Sequence, residues 1–144
     1  MEHEPPWVYV ATAQAFDDEM RVRIADHRAR RGAGWQTTEA PLDLAGALAQ
    51  AAERPVLVDC LTLWLSNLML AGRDTDTAFE ALEVSLQRRA APSILVGSEV
   101  GLGIVPETPL GRAFRDRAGQ LHQRFAARAD RVLFMVAGLP MKVK

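Results

Sequence analysis

Short runs of apolar residues alternate along this chain with longer stretches in which apolar residues recur every three or four positions. Short apolar runs between polar or turn-forming residues are typical of buried strands, and the longer spacing is typical of helices packed on one face. The runs predict strands at 7–11, 55–60, 93–97 and 131–137. Two weaker strand candidates are a polar, threonine-rich segment at 35–39 and a short edge strand at 141–144.

The spacing between these runs predicts helices that connect consecutive strands. Asp17 is placed to cap the first helix and Gly32 to end it. The expected apolar face of this helix carries Met20, Ile24, His27 and Arg31. Further helices are predicted at 41–52, 61–70, 78–90 and 109–128, with a polar loop at 72–77. In the last of them, the residues expected to face the core are Leu110, Phe114, Leu121 and Phe125.

The alternation of strands and helices predicts an α/β fold with a largely parallel sheet flanked by helices. No repeat, low-complexity tract or linker divides the sequence. Residues 1–144 are therefore expected to form a single domain.

Composition narrows the class of protein. Hydrophobic residues make up 49% of the chain and charged residues 24%, which is ordinary for a soluble globular protein. The formal net charge of -1 gives no field that would attract nucleic acid. Cys60 is the one cysteine, so an internal disulfide is excluded and a reducing, cytoplasmic location is expected. No apolar stretch predicts a membrane span or a signal peptide.

Polar residues follow several of the predicted strands. In open parallel sheets, ligands bind beyond the carboxyl ends of the strands. The first strand leads into Thr12, the third ends at Asp59, and Glu99 follows the fourth. An acid that directly follows a short apolar run, as Asp59 does, is similar to the magnesium-holding acid of nucleotide-binding folds. The alternative is a carboxylate that caps the next helix, and the pattern alone leaves both open.

His27 follows the first strand and lies among arginines. An imidazole can attack phosphorus as a nucleophile, and arginines hold phosphates. The alternative is a structural histidine on the apolar face of a helix. The arginines that surround it fit a solvated helix face equally well; they are Arg21, Arg23, Arg28, Arg30 and Arg31.

Several motifs occur in a fixed order between residue 9 and residue 116. They are YVATAQ at 9–14, DDEM at 17–20, Arg23-Ile24 with His27, WQTTE at 35–39, VDCLT at 58–62, Trp64 with Asn67, SEVGLGIVPE at 98–107, and Phe114-Arg115-Asp116. In this order the motifs resemble those of the bifunctional adenosylcobinamide kinase/adenosylcobinamide-phosphate guanylyltransferases of cobalamin biosynthesis.

This resemblance implies two reactions. In the first, ATP or GTP phosphorylates the hydroxyl of the aminopropanol arm of adenosylcobinamide. In the second, GTP gives GMP to adenosylcobinamide phosphate through a GMP-histidine, and that histidine falls on His27. The resemblance also implies a RecA-like P-loop NTPase fold, Mg²⁺ as cofactor and a homo-oligomer.

The nucleotide-binding residues that the resemblance implies are Ala11, Thr12, Ala13, Arg28, Ala29, Arg30, Arg31, Glu39 and Asp59. The arginines suit phosphate or guanosine contacts, and Thr12 would line the nucleotide pocket. Glu39 would accept hydrogen bonds from the N1 and N2 donors of guanine, which favours GTP over ATP. Asp59 is the expected ligand of Mg²⁺, and Glu99 is a second candidate.

The chain departs from this family in one segment. Family members carry a strand, a Gly-x-x-x-x-Gly-Lys-Ser loop and a helix about thirty residues before the Tyr9 region. The sequence contains no Gly-Lys-Ser or Gly-Lys-Thr, and its lysines are Lys142 and Lys144. We therefore expect a form truncated by this first strand–loop–helix unit, with kinase activity absent or severely impaired. The alternatives are a degenerate, non-catalytic nucleotide- or corrinoid-binding homologue and a subunit that needs a partner to complete its sheet.

Overall fold

The computed structural model describes residues 3–144. Within them, helices alternate with strands over most of the chain, and this confirms the predicted α/β class. The elements in chain order are β1 Trp7–Ala11, α1 Asp18–Arg31, β2 Trp35–Glu39, α2 Leu44–Ala51, β3 Val56–Asp59, α3 Leu61–Leu70, α4 Thr75–Gln87, β4 Ser93–Val96, α5 Pro109–Arg128, β5 Leu133–Val136 and β6 Leu139–Lys142. In this part of the chain, no helix combines the length and the apolar character that a membrane span requires.

The chain divides into two compact units, the first ending at Glu99 and the second running from Val100 to Lys144. The first unit contains a four-stranded sheet in the order β2-β1-β3-β4. All its neighbouring strands are parallel, as predicted. The second unit contains α5 and an antiparallel hairpin of β5 and β6. The organisation of residues 1–144 as one domain stays a prediction.

The core of the first unit lies on one face of the sheet. Val8, Val10, Val56 and Val58 alternate along β1 and β3 and are almost fully buried. Helix α2 contacts β1, and α4 contacts α2 and α3. These helices contribute further fully buried side chains, namely Leu48, Trp64, Leu65, Phe79 and Leu82. Each such burial stabilises the fold by about 1.5–3 kcal/mol.

The opposite face of the sheet carries the polar strand ends. The parallel register places Ala11 beside both Glu39 and Asp59, so these three residues lie level across β2, β1 and β3. Since register partners point to the same face of a sheet, the two carboxylates share a face. The two carboxylates lie level because β2, β1 and β3 end at paired residues.

His27 does not lie on a buried face of α1, so its predicted place on the apolar face of this helix is wrong. No residue of α1 is buried, and His27 is exposed while Met20, Ile24 and Arg31 are half-buried. The helix has charged residues on every turn, so it lies on the surface and has too few apolar positions to enter the core. The alternative of a structural histidine on an apolar helix face is therefore wrong.

Helix α4 begins earlier than predicted. Its first residue is Thr75 because the side chain of Asp74 accepts a hydrogen bond from the backbone N–H of Thr77 and caps the helix. The polar segment predicted as a loop at 72–77 therefore contains the capping residue of the helix.

Two expectations of burial are also wrong. In β4, which lies at the edge of the sheet, Ile94 is 57% exposed and Val96 is 38% exposed. In α5, Leu110 is 59% exposed, whereas Leu121 and Phe125 are buried as predicted. Apolar sequence alone predicts that a segment can be buried, but burial also requires a covering element.

The second unit ends in a tight hairpin. Ala137 and Gly138 both have positive φ, 51° and 75°, and connect β5 to β6. Such a two-residue turn matches the twist of antiparallel strands. The predicted final strand is therefore β5, and the predicted edge strand pairs with it as β6, starting at Leu139 rather than at residue 141.

Candidate functional site

A groove of about 560 Å³ lies beyond the carboxyl end of β1. Its lining comes from the segment after β1, from α1 and from the end of β2, and includes Ala13, Gln14, Ile24, Arg28, Glu39 and Pro41. Three residues that the sequence analysis assigned to nucleotide binding are therefore brought together: Ala13, Arg28 and Glu39.

Arg28 and Glu39 form an ion pair in this groove. The Nη2 atom of Arg28 donates to Oε1 of Glu39 at 2.8 Å, and both side chains are largely exposed. An exposed pair of this kind contributes about 0–1 kcal/mol, so a ligand can exchange with it at low cost. The pair offers a cationic donor and an anionic acceptor side by side.

Asp59 does not cap the helix that follows it. The N-cap of α3 is Cys60, whose Sγ accepts a hydrogen bond from the backbone N–H of Leu63 at 3.4 Å. Asp59 instead accepts a hydrogen bond at Oδ2 from the hydroxyl of Tyr9. The capping alternative for Asp59 is therefore wrong, and its carboxylate lies half-buried at the end of a central strand.

Tyr9 contacts a second residue of the predicted site. The guanidinium carbon of Arg31 lies 3.6 Å from the centroid of the Tyr9 ring, and Nη2 of Arg31 donates to Oγ1 of Thr37 at 3.2 Å. Burial, and then the hydrogen bond to Asp59, raises the pKa of Tyr9 above its ordinary range, so its hydroxyl stays a donor. The sequence analysis did not single out Tyr9 as a site residue, although strand alternation places it on the same face as Asp59.

The hydroxyl of Thr12 does not line the groove, which corrects the expectation for this side chain. Thr12 is fully buried, and its Oγ1 accepts from the N–H of Cys60 and donates to the carbonyl of Cys60, both at 2.8 Å. Asn67 adds two hydrogen bonds to this network, since its Nδ2 donates to the carbonyl of Thr12 at 2.8 Å and to that of Pro41 at 3.0 Å. These bonds fix the strand end beside the groove.

The remaining predicted residues do not line the groove. His27 is exposed on α1, directly before Arg28, and Ala29 and Arg30 are exposed on the same turn. Ala11 is half-buried between the two carboxylates. Glu99 is exposed, three residues beyond the end of β4, so its strand does not carry it to the level of Asp59.

The position of Asp59 is suitable for a magnesium ligand in a nucleotide site. Mg²⁺ in such sites is commonly held by one or two carboxylates together with substrate phosphates and water. A half-buried carboxylate that is oriented by a hydroxyl donor meets this requirement. Among residues 3–144, no three His, Cys, Asp or Glu side chains form a group that would hold a metal without a substrate.

Comparison with known proteins places this chain among cobalamin-biosynthesis enzymes. The model of the cobinamide kinase / cobinamide phosphate guanyltransferase family matches residues 1–143. The bifunctional adenosylcobalamin biosynthesis protein CobP of Pseudomonas aeruginosa is 54% identical over 140 residues, which cover 94% of this chain and 81% of the relative. The bifunctional adenosylcobalamin biosynthesis protein CobU of Salmonella typhimurium is 38% identical over 157 residues, covering 97% of this chain and 87% of the relative.

The CobU protein of Escherichia coli, with the same descriptive name, is 39% identical over 155 residues, covering 95% of this chain and 85% of the relative. These matches extend over almost the whole sequence and confirm the family that its motifs resemble. The fold of that family is P-loop NTPase-like, in agreement with the parallel α/β sheet observed here. This chain belongs to the cobinamide kinase / cobinamide phosphate guanyltransferase family of transferases.

Proposed function

We propose that this chain transfers GMP from GTP to adenosylcobinamide phosphate and carries the GMP on His27. The observation that supports this most strongly is the exposed position of His27 on α1, directly before Arg28, which lines the groove with Glu39. A histidine in the core has no access to a nucleotide, whereas an exposed one beside an arginine does. The family description, which includes cobinamide kinase and cobinamide phosphate guanyltransferase, supports this choice of substrates.

In the first step, a neutral imidazole nitrogen of His27 attacks the α-phosphorus of GTP. The N–P bond forms as the P–O bond to pyrophosphate breaks, and pyrophosphate leaves with the electron pair. In the second step, a phosphate oxygen of adenosylcobinamide phosphate attacks the same phosphorus. The P–N bond breaks, adenosylcobinamide-GDP is released and the imidazole is regenerated.

The neighbouring residues bind and orient the nucleotide in this proposal. Arg28, Arg30 and Arg31 offset the charge of the phosphates. Glu39 accepts hydrogen bonds from guanine once the nucleotide has exchanged with its exposed ion pair to Arg28. Asp59 would hold Mg²⁺, whose charge stabilises the phosphates during transfer.

We also propose that the chain works as a homo-oligomer in the cytoplasm. The exposed apolar residues of β4, Ile94 and Val96, support self-association. The free, buried thiol of Cys60 fits a reducing compartment.

Incubation of the purified chain with α-labelled GTP and Mg²⁺ tests the role of His27. We expect a protein-bound label that is labile in acid and stable in alkali, as a phosphoramidate is. His27→Ala is expected to carry none of this label, because the nucleophile is absent. His3→Ala is the matched control, since it removes another exposed histidine, one outside α1 and the groove. Equal labelling of His27→Ala and the unaltered chain would exclude the proposal.

A further inference from the structure

Tyr9 joins two residues that the proposed function uses. Its side chain is almost completely buried, with 8% of the residue exposed. Its hydroxyl donates to the carboxylate of Asp59, and its ring face carries the guanidinium of Arg31. The predicted Mg²⁺ ligand Asp59 and the predicted phosphate-binding residue Arg31 therefore contact the same side chain, one at its hydroxyl and the other at its ring face.

The surroundings of Tyr9 leave its ring little freedom. Trp35 packs edge-on against the ring, with 6.3 Å between the ring centroids and an interplanar angle of 87°. Arg31, which covers one ring face, is itself fixed by its hydrogen bond to Thr37. A ring held in this way presents its hydroxyl at one fixed place, directly beside Asp59.

We propose that Tyr9 is a positioning residue for the magnesium nucleotide. Its hydroxyl occupies one oxygen of Asp59 and thereby turns the carboxylate toward a divalent cation, while its ring holds Arg31 ready for the phosphates of GTP. This inference rests on the proposed function, because it takes the roles of Asp59 and Arg31 from it. Hydrogen-bond partners of metal ligands affect metal affinity or activity by about 10–100-fold, so the contribution is measurable.

Two substitutions separate the contribution of the Tyr9 hydroxyl from that of its ring. Tyr9→Phe removes the hydroxyl and keeps the ring under Arg31, whereas Tyr9→Leu removes both. A tyrosine that only fills the core would give Tyr9→Phe no specific effect on metal binding. The two variants therefore distinguish positioning from packing.

Mn²⁺ binding to the purified chain, in the presence of an α,β-methylene analogue of GTP that cannot transfer GMP, measures the effect of the hydroxyl without any reaction. Free Mn²⁺ is measured by electron paramagnetic resonance, and the Mn²⁺ bound by the analogue alone is subtracted. We expect Tyr9→Phe to weaken Mn²⁺ binding about 10-fold and Asp59→Asn to abolish it. Trp35→Phe is the matched control, because it alters the same aromatic cluster and keeps both contacts of Tyr9; we expect its Mn²⁺ affinity to equal that of the unaltered chain. Equal Mn²⁺ affinity of Tyr9→Phe and the unaltered chain, or no Mn²⁺ binding by the latter, would overturn the proposal.

Equilibrium dialysis with GTP in the presence of a chelator measures the contribution of the Tyr9 ring to GTP binding without a metal ion. Tyr9→Phe is expected to bind GTP like the unaltered chain, and Tyr9→Leu about fivefold more weakly, since Arg31 loses its cation–π partner. Equal binding by the two variants would overturn this half of the proposal. Thermal unfolding of each variant reports whether it folds. Labelling of His27 remains a separate measurement, so a failure of GMP transfer and a failure of the Tyr9 proposal are distinguishable.

Discussion

At the scale of single residues, several polar side chains near the end of β1 form hydrogen bonds with backbone groups. Thr12 and Asn67 use their side chains to fix the strand end of β1, and Cys60 uses its thiol to cap α3. The side chains to which the proposed function gives binding roles, such as Asp59, Glu39 and Arg28, are not used in this way. Buried neutral side chains thus hold the backbone, while the charged side chains are half-buried or exposed.

Cys60 is expected to react slowly in the folded chain. Burial raises the pKa of its thiol, although the N–H of Leu63 opposes this, so less of the reactive thiolate is present at a given pH. With a disulfide reagent at about pH 8, we expect the folded chain to react at least about 10-fold more slowly than the chain unfolded in guanidinium. The release of the coloured thiolate measures both rates, and equal rates would contradict the prediction.

The same shift has a consequence for stability. The folded chain keeps this thiol protonated to a higher pH than the unfolded chain does. The contribution of Cys60 to the unfolding free energy is therefore complete below the ordinary pKa of a thiol, and it decreases as the pH rises through the folded pKa.

At the scale of elements, one arginine connects the end of α2 to the segment before β3 and to the start of β4. Arg89 donates through Nη1 to the carbonyls of Leu48 at 2.8 Å and Ala52 at 2.9 Å, through Nη2 to the carbonyl of Arg54, and through Nε to the hydroxyl of Ser93 at 3.1 Å. The last carbonyls of a helix have no partner within it, and a cation there also interacts favourably with the helix dipole. Burial lowers the pKa of Arg89, but a guanidinium remains charged at neutral pH.

Removal of this guanidinium is expected to destabilise the first unit. Arg89→Met keeps most of the aliphatic chain and removes the donor of two part-buried hydrogen bonds to carbonyls, so we expect the unfolding free energy to fall by about 3 kcal/mol. Arg88→Met is the matched control, because it removes an exposed arginine from the adjacent position and should change the free energy by less than about 0.5 kcal/mol. Urea denaturation followed by circular dichroism measures both changes. A similar loss in the two variants would show that Arg89 does not connect these elements.

The order of the elements was predictable from the sequence, because hydrophobic periodicity is a local property. The Tyr9–Asp59 contact was not, because it joins residues that are 50 positions apart. The cap of α3 was missed for a different reason: aspartate is a far commoner cap than cysteine, so Asp59 was the one candidate cap that the sequence analysis considered. The exposure of Ile94 was missed because an apolar strand has the same sequence whether or not another element covers it.

At the scale of the whole molecule, low net charge coincides with exposed apolar surface. The formal net charge is -1, so repulsion between copies is weak. Strand β4 lies at the edge of the parallel sheet and exposes Ile94 and Val96. Exposed edge strands with apolar side chains are common sites of association between chains.

We therefore expect the chain to self-associate through β4. Ile94→Lys places a charge at this edge and is expected to raise the dissociation constant by at least about 10-fold. Val22→Lys is the matched control, since Val22 is 59% exposed on α1, close to the 57% of Ile94. Sedimentation velocity over a range of concentrations measures the change. Unchanged association of Ile94→Lys would locate the interface elsewhere.

The capping of α3 by Cys60 has a consequence for how this chain can evolve. Since Cys60, and not Asp59, secures the start of the helix, the carboxylate at position 59 is not needed to hold the helix in place. A mutation there leaves the cap of α3 in place, although a side chain that cannot accept a hydrogen bond would leave the buried hydroxyl of Tyr9 without this partner. If Asp59 holds Mg²⁺ as proposed, metal and nucleotide preference can vary at position 59 without loss of the helix cap, because adjacent residues carry the two tasks.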